Sequence, residues 1–268
     1  MPTTTRHGIP IHYEVTGQGA PAVVLLHSYL CSGYMWHNQV DALARGCTVV
    51  NIDVRGHGRS GPVPEAFPLG DLVGDVVQVL DVEGISSAVW VGLSIGGMVA
   101  LHAALSAPER VRALVILDSD AGAERGASRL KYAVMAAVVR RFGVGPMMKP
   151  ILRLMFGRTT LRSRPGLVAE WAARFEQVDV SSMLNTLPAL VRRPDLLPRL
   201  GEIRVPTLVL VGQEDRTLPP ALSRRMPAAI PGSTLVEVPG AGHLSVLEEP
   251  ERLTALIEGF VAEVTASG

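Results

Sequence analysis

Apolar residues in this chain are arranged in two ways: as short continuous runs, and as longer stretches in which they recur every three or four positions. A continuous run at residues 22–26 has the profile of a central parallel strand, 113–117 reads as another buried strand, and further strands are predicted at 48–52, 207–211 and 234–238. Between and after them the spacing turns helical. Trp36, Val40, Leu43 and Ala44 mark one helix, and Leu72, Val73, Val76, Val77 and Leu80 a second. A further helix is predicted near 220–229, and Leu253, Leu256, Ile257, Phe260, Val261 and Val264 define a closing one. An early strand at 11–15 is followed by Gly17-Gln18-Gly19, which reads as a hairpin-type turn. Strands alternating with helices predict an α/β fold with a mostly parallel central sheet and helices on both faces.

The alternation stops between Ser119 and Gly201. Only helical segments are predicted there, at 130–142, 147–156, 166–178 and 182–192, punctuated by Pro150, Pro165, Pro188, Pro194 and Pro198. The expected organisation is therefore a core in two parts, residues 1–118 and 203–268, with a helical lid inserted at 119–202.

One stretch carries a chemical signature as well as a structural one. In Val89-Trp90-Val91-Gly92-Leu93-Ser94-Ile95-Gly96-Gly97 a buried strand runs into a buried helix through G-x-S-x-G, the pattern of a sharp turn that lifts a serine hydroxyl clear of a sheet. Side chains at Gly92 or Gly96 would collide where strand and helix cross. A pattern this short also arises by chance, so its weight depends on partners elsewhere. Serine acyl transfer needs a base, an acid that orients the base, and donors where oxyanion charge develops. The strand ending at Val211 is followed by Gly212-Gln213-Glu214-Asp215-Arg216, and the next strand by Pro239-Gly240-Ala241-Gly242-His243. Both loops fall at the sheet edge where open α/β sheets bind ligands. Ser94 is thus the expected nucleophile, His243 the base and Asp215 the acid, with Asp118, just after the strand at 113–117, as the alternative acid. The backbone N–H groups of Ile95 and Tyr29 are the expected oxyanion hole. His27 and His57 read as loop braces, His102 as a satisfied core histidine, and Cys31 as pocket lining at most.

Composition removes several other classes. The 268 residues balance 25 basic against 25 acidic side chains, which gives no global attraction to nucleic acid or an anionic membrane. Within that balance the lid carries 14 Arg/Lys and 7 Asp/Glu, the rest 11 and 18. Arginines above the site could draw in anionic substrates; solvated helix faces in a chain with only two lysines explain the excess more simply. Cys31 and Cys47 suggest no disulfide framework, and the first fifteen residues lack a signal-peptide core, so a cytoplasmic location is expected. The apolar stretch 88–105 is long enough for a membrane span, but its glycines, Ser94 and His102 fit a buried strand and helix better. No His/Cys/Asp cluster has metal-ligand spacing, and no glycine loop has phosphate-cradling register.

At these residues the chain resembles the α/β-hydrolase fold superfamily. HSYLCSGYMW, DVRGHGRSG, VGLSIGGMVAL, VGQEDRTLPP and VPGAGHLSVLEEP are most similar to the 3-oxoadipate enol-lactonase group, the His27-Ser28 pair being the telling detail. The resemblance implies a triad at Ser94, Asp215 and His243, no cofactor, and hydrolysis of a small-molecule ester or lactone. Carbon–carbon bond hydrolysis of a ring-fission product and cofactor-free perhydrolysis would use the same core. A non-catalytic ligand-binding protein would have no need of the acid and base.

Overall fold

Eight strands hydrogen-bond into one sheet in the computed structural model, which describes residues 2–124 and 126–266. They are β1 (Thr3–Arg6), β2 (Ile9–Thr16), β3 (Ala22–Leu26), β4 (Thr48–Ile52), β5 (Ala88–Leu93), β6 (Val111–Leu117), β7 (Thr207–Gly212) and β8 (Thr234–Val238), in the spatial order β1-β2-β4-β3-β5-β6-β7-β8. Strands β3 to β8 pair parallel with their neighbours; β1 and β2 are the antiparallel edge. Every residue of β5 and of β7 is buried, which is why both read as unbroken apolar runs.

Alternate residues along β5 serve two different cores. Ala88 and Trp90 face the side covered by α2 (Leu69–Val82) and α3 (Ile95–Ser106). Val89, Val91 and Leu93 face the side covered by α1 (His37–Leu43) and the closing helix, Pro250–Ala266. This is the two-layered cover that parallel crossovers produce, and it leaves the C-terminal ends of β3, β5, β6, β7 and β8 as one shared edge.

Between β6 and β7 the chain forms α4 (Gly126–Phe142), α5 (Met148–Met155), α6 (Arg158–Ser163), α7 (Pro165–Glu176) and α8 (Val180–Val191). The helix expected at 166–178 is thus preceded by a separate short one, α6, whose polar sequence RTTLRS carries no apolar stripe. Arg125, one of the arginines counted in this insertion, lies outside the described residues. After β7 come α9 (Pro220–Ser223), β8, α10 (Ser245–Glu248) and α11 (Pro250–Ala266). The helix expected over 220–229 is only α9, continued as turns.

The turn at Gly17–Gly19 is not the hairpin its glycines suggest. It leads from β2 into β3, but β2 pairs with β4, and the glycines instead let the chain pass against the backbone of Ala44 and Gly46-Cys47. The hairpin lies at His7-Gly8, which joins β1 to β2 with both residues at positive φ (51° and 76°). Among the described residues no helix is long and apolar enough to cross a membrane.

Candidate active site

Ser94 stands alone between β5 and α3. It has φ 57° and ψ −115°, a sparsely populated conformation for a residue with a side chain. The strain is held from both sides: Ser94 N donates to Leu117 O (2.9 Å), and Ser119 Oγ donates to Ser94 O (2.8 Å). A Cβ on Gly92 would meet Gly97 N at 2.6 Å, and one on Gly96 would meet the Leu26 carbonyl carbon at 2.7 Å. The glycines therefore let the first turn of α3 lie directly on β3 and β5.

The next strands along the edge bring the other expected residues. Asp215 follows β7, and its Oδ1 accepts the N–H groups of Thr217 (2.8 Å) and Leu218 (2.9 Å). His243 follows β8 and donates from Nδ1 to Asp215 Oδ2 (2.8 Å). A carboxylate on Nδ1 fixes the tautomer and leaves Nε2 as the ring's basic nitrogen. Burial alone would lower the His243 pKa; the carboxylates of Asp215, Asp118 and Glu248 outweigh it and hold the ring above its ordinary value. His243, Ser94 and Tyr29 line one pocket.

Asp118, the alternative acid, is committed elsewhere. Fully buried at the end of β6, it accepts Gly212 N (2.8 Å) on Oδ1 and the Ser245 hydroxyl on Oδ2. Burial and the neighbouring charge of Asp215 push its carboxyl well above the usual range. Glu214 faces the other way and accepts from Thr159 N and Oγ1, 2.8 Å each.

Of the expected oxyanion donors, Ile95 is the first residue of α3, where helix N–H groups have no intrahelical acceptor. Tyr29 lines the pocket, and its phenol donates to Met183 O of α8 (2.7 Å), tying this loop to the insertion. His27 braces the same loop as expected, with Nδ1 to Ser28 O (2.8 Å) and Nε2 accepting from Val54 N (2.9 Å). His57 Nδ1 bonds Arg55 O (3.2 Å), but Nε2 has no partner. His102 differs from expectation: it is only half-buried, and its Nδ1 is unpaired. Cys31 is buried, and burial pushes its thiol pKa up, against formation of the thiolate.

One residue of the site was not singled out from sequence. Glu248 is buried in α10 and accepts from Gly242 N (2.9 Å), beside His243, and from Gly157 N (2.8 Å), in the insertion. Burial pushes its carboxyl up to about 7. Its context, Ser245-Val246-Leu247-Glu248-Glu249, carries no signal that separates it from the acid directly after it. Ser28, marked in sequence only as half of the His27-Ser28 pair, has a fully buried hydroxyl with no partner and lines the pocket. Among the described residues no group of three or more His, Cys, Asp or Glu side chains could hold a metal ion.

Comparison with known proteins agrees with this architecture. A family model described as the alpha/beta hydrolase fold matches residues 21–250. A protein of Variovorax paradoxus, provisionally named a carbamate hydrolase, is 31% identical, covering 97% of this chain and 99% of that one. A thermophilic esterase from Thermogutta terrifontis superposes with a TM-score of 0.91 at 29% identity, over 98% of this chain and 97% of its own. An enol-lactonase from Burkholderia xenovorans gives a TM-score of 0.91 at 27% identity, over 97% and 100%.

Proposed function

The chain belongs to the α/β-hydrolase fold family, and from that premise we propose that it is a serine hydrolase of small carboxylic esters or lactones acting through an acyl-enzyme on Ser94. The observation that carries this reading is the 2.8 Å bond from His243 Nδ1 to Asp215, with His243 and Ser94 lining the same pocket. His243 Nε2 takes the Ser94 proton as the oxygen attacks the substrate carbonyl. The backbone N–H groups of Tyr29 and Ile95 hold the oxyanion, and His243 returns the proton to the departing alcohol. Water activated by the same nitrogen then releases the acid and frees Ser94. The insertion, residues 119–202, acts as the lid over this site.

Fluorophosphonate labelling tests the proposal before any substrate is known. Intact-mass measurement is expected to show one adduct on the wild-type chain and none on Ser94→Ala. Labelling needs the neutral imidazole, so its rate rises with pH as His243 loses its proton. The facing groups Asp215, Asp118 and Glu248 raise that pKa, which places the midpoint above the ordinary histidine value of 6.5. Folded protein that takes up no label, or labels equally as Ser94→Ala, would sink the assignment.

A further inference from the structure

We infer that this site is built for an uncharged, apolar acyl group and discriminates against substrates that carry a second carboxylate. The inference rests on the reading of Ser94 as nucleophile and extends it to the substrate. The pocket beside Ser94 is walled by the insertion: Met135 and Val139 of α4, Ile151 and Leu154 of α5, Leu187 and Leu190 of α8. Two of its polar side chains are turned onto the protein itself. The Tyr29 phenol donates to Met183 O (2.7 Å) and Thr217 Oγ1 to Leu154 O (2.9 Å). Among the described residues Ser28 Oγ is the one fully buried lining side-chain atom without a partner, and a single hydroxyl suits one carbonyl rather than a charged group.

The charges point the same way. Among the described residues no arginine or lysine lines the pocket, although the insertion is arginine-rich. The carboxylate that does line it is Glu124, held by Arg193 Nη1 at 2.8 Å. Arg193 is itself buried and engaged, with Asp120 at 3.3 Å and the carbonyls of Gly122 (2.8 Å) and Leu190 (2.9 Å). Arg164 is turned away onto the carbonyls of Leu247 (3.1 Å) and Glu248 (2.8 Å). A substrate carboxylate would thus lose its water against leucine and methionine, gain no counter-ion, and meet the field of Glu124. An unpaired buried charge is heavily disfavoured under those conditions.

Three 4-nitrophenyl esters of the same six-carbon chain separate charge from length: the hexanoate, the adipate monoester with a free carboxylate, and its methyl ester. At pH 8 the wild-type kcat/KM is expected to be at least about 100-fold higher for the hexanoate than for the adipate monoester, with the methyl ester recovering most of the loss. Glu124→Gln should narrow the gap by about tenfold. Comparable rates for hexanoate and adipate would overturn the inference, as would a methyl ester as slow as the free acid. Absence of turnover with all three in protein that labels on Ser94 also overturns it and leaves the serine hydrolase reading standing. Absence of both turnover and label removes both.

Discussion

Asp215→Asn is expected to lower kcat for an activated ester by about 10⁴-fold, whereas Asp118→Asn should lower it by less than about tenfold. The two carboxylates follow neighbouring strands and both act electrostatically on His243, so proximity alone does not choose between them. Hydrogen bonding does. Asp215 accepts from His243 Nδ1 and is steadied by two backbone N–H groups. An asparagine there could present its amide to Nδ1 and stabilise the wrong tautomer, and it could not balance the imidazolium formed during attack. Asp118 has both oxygens engaged, by Gly212 N and Ser245 Oγ. Asparagine can keep the first contact through its oxygen and donate to the hydroxyl in the second. Steady-state kinetics of the two variants, with circular dichroism to confirm folding, decides the assignment. The reverse ranking would make Asp118 the acid and reduce Asp215 to a structural role.

Much of the frame behind this prediction was legible because parallel strands covered on both faces are mostly apolar. Residues 22–26 and 48–52 coincide with β3 and β4, and 234–238 with β8, an edge strand that carries Glu237 and is only partly buried. The edge was less legible. Strand β1 is short, polar and at most half-buried, so Thr3–Arg6 shows neither a continuous run nor an apolar alternation. The expected hairpin at Gly17–Gly19 went astray for a related reason. Glycines announce a tight passage of backbone but do not say whether the tightness comes from a reversing chain or from a neighbouring segment, here Ala44 and Gly46-Cys47.

The candidate site shows the same division. Ser94, Asp215 and His243 could be placed because each follows a recognisable strand, and the sheet topology brings strand ends together whatever lies between them. The pocket could not be read in that way. Its walls come from α4, α5 and α8, whose mutual packing is set by tertiary contacts and not by any local pattern. Glu248 was missed because its purpose exists only after folding, when Gly157 and Gly242 converge on its carboxylate. The arginine excess was visible, but its use in pinning Asp120, Glu124 and backbone carbonyls was not.

The strand-to-helix crossing under Ser94 gives the sharpest test of how the site is held. Gly96→Ala should destabilise the protein by about 3 kcal/mol or more, because the added Cβ meets Leu26 backbone, which belongs to a central strand and cannot withdraw. Gly97→Ala should cost less. The added Cβ would lie 2.7 Å from Ser119 Cβ, 2.8 Å from Ser119 Oγ and 3.0 Å from Gly92 O, so Ser119, in the loop after β6 and not in a central strand, must shift as a residue and give up its bond to Ser94 O. Most of that loss should fall on activity, since the bond helps to hold the strained serine. Gly259→Ala supplies the opposite sign: nothing lies within 4 Å of its added Cβ, and the position is exposed in the middle of α11. Removing a glycine from a helix interior there should stabilise by about 0.5–1 kcal/mol. Urea unfolding of the three variants should therefore order them Gly259→Ala, Gly97→Ala, Gly96→Ala from most to least stable. A Gly96→Ala protein as stable as wild type would mean that α3 does not lie against β3 as closely as this crossing requires, and the conformation of Ser94 would lose its support.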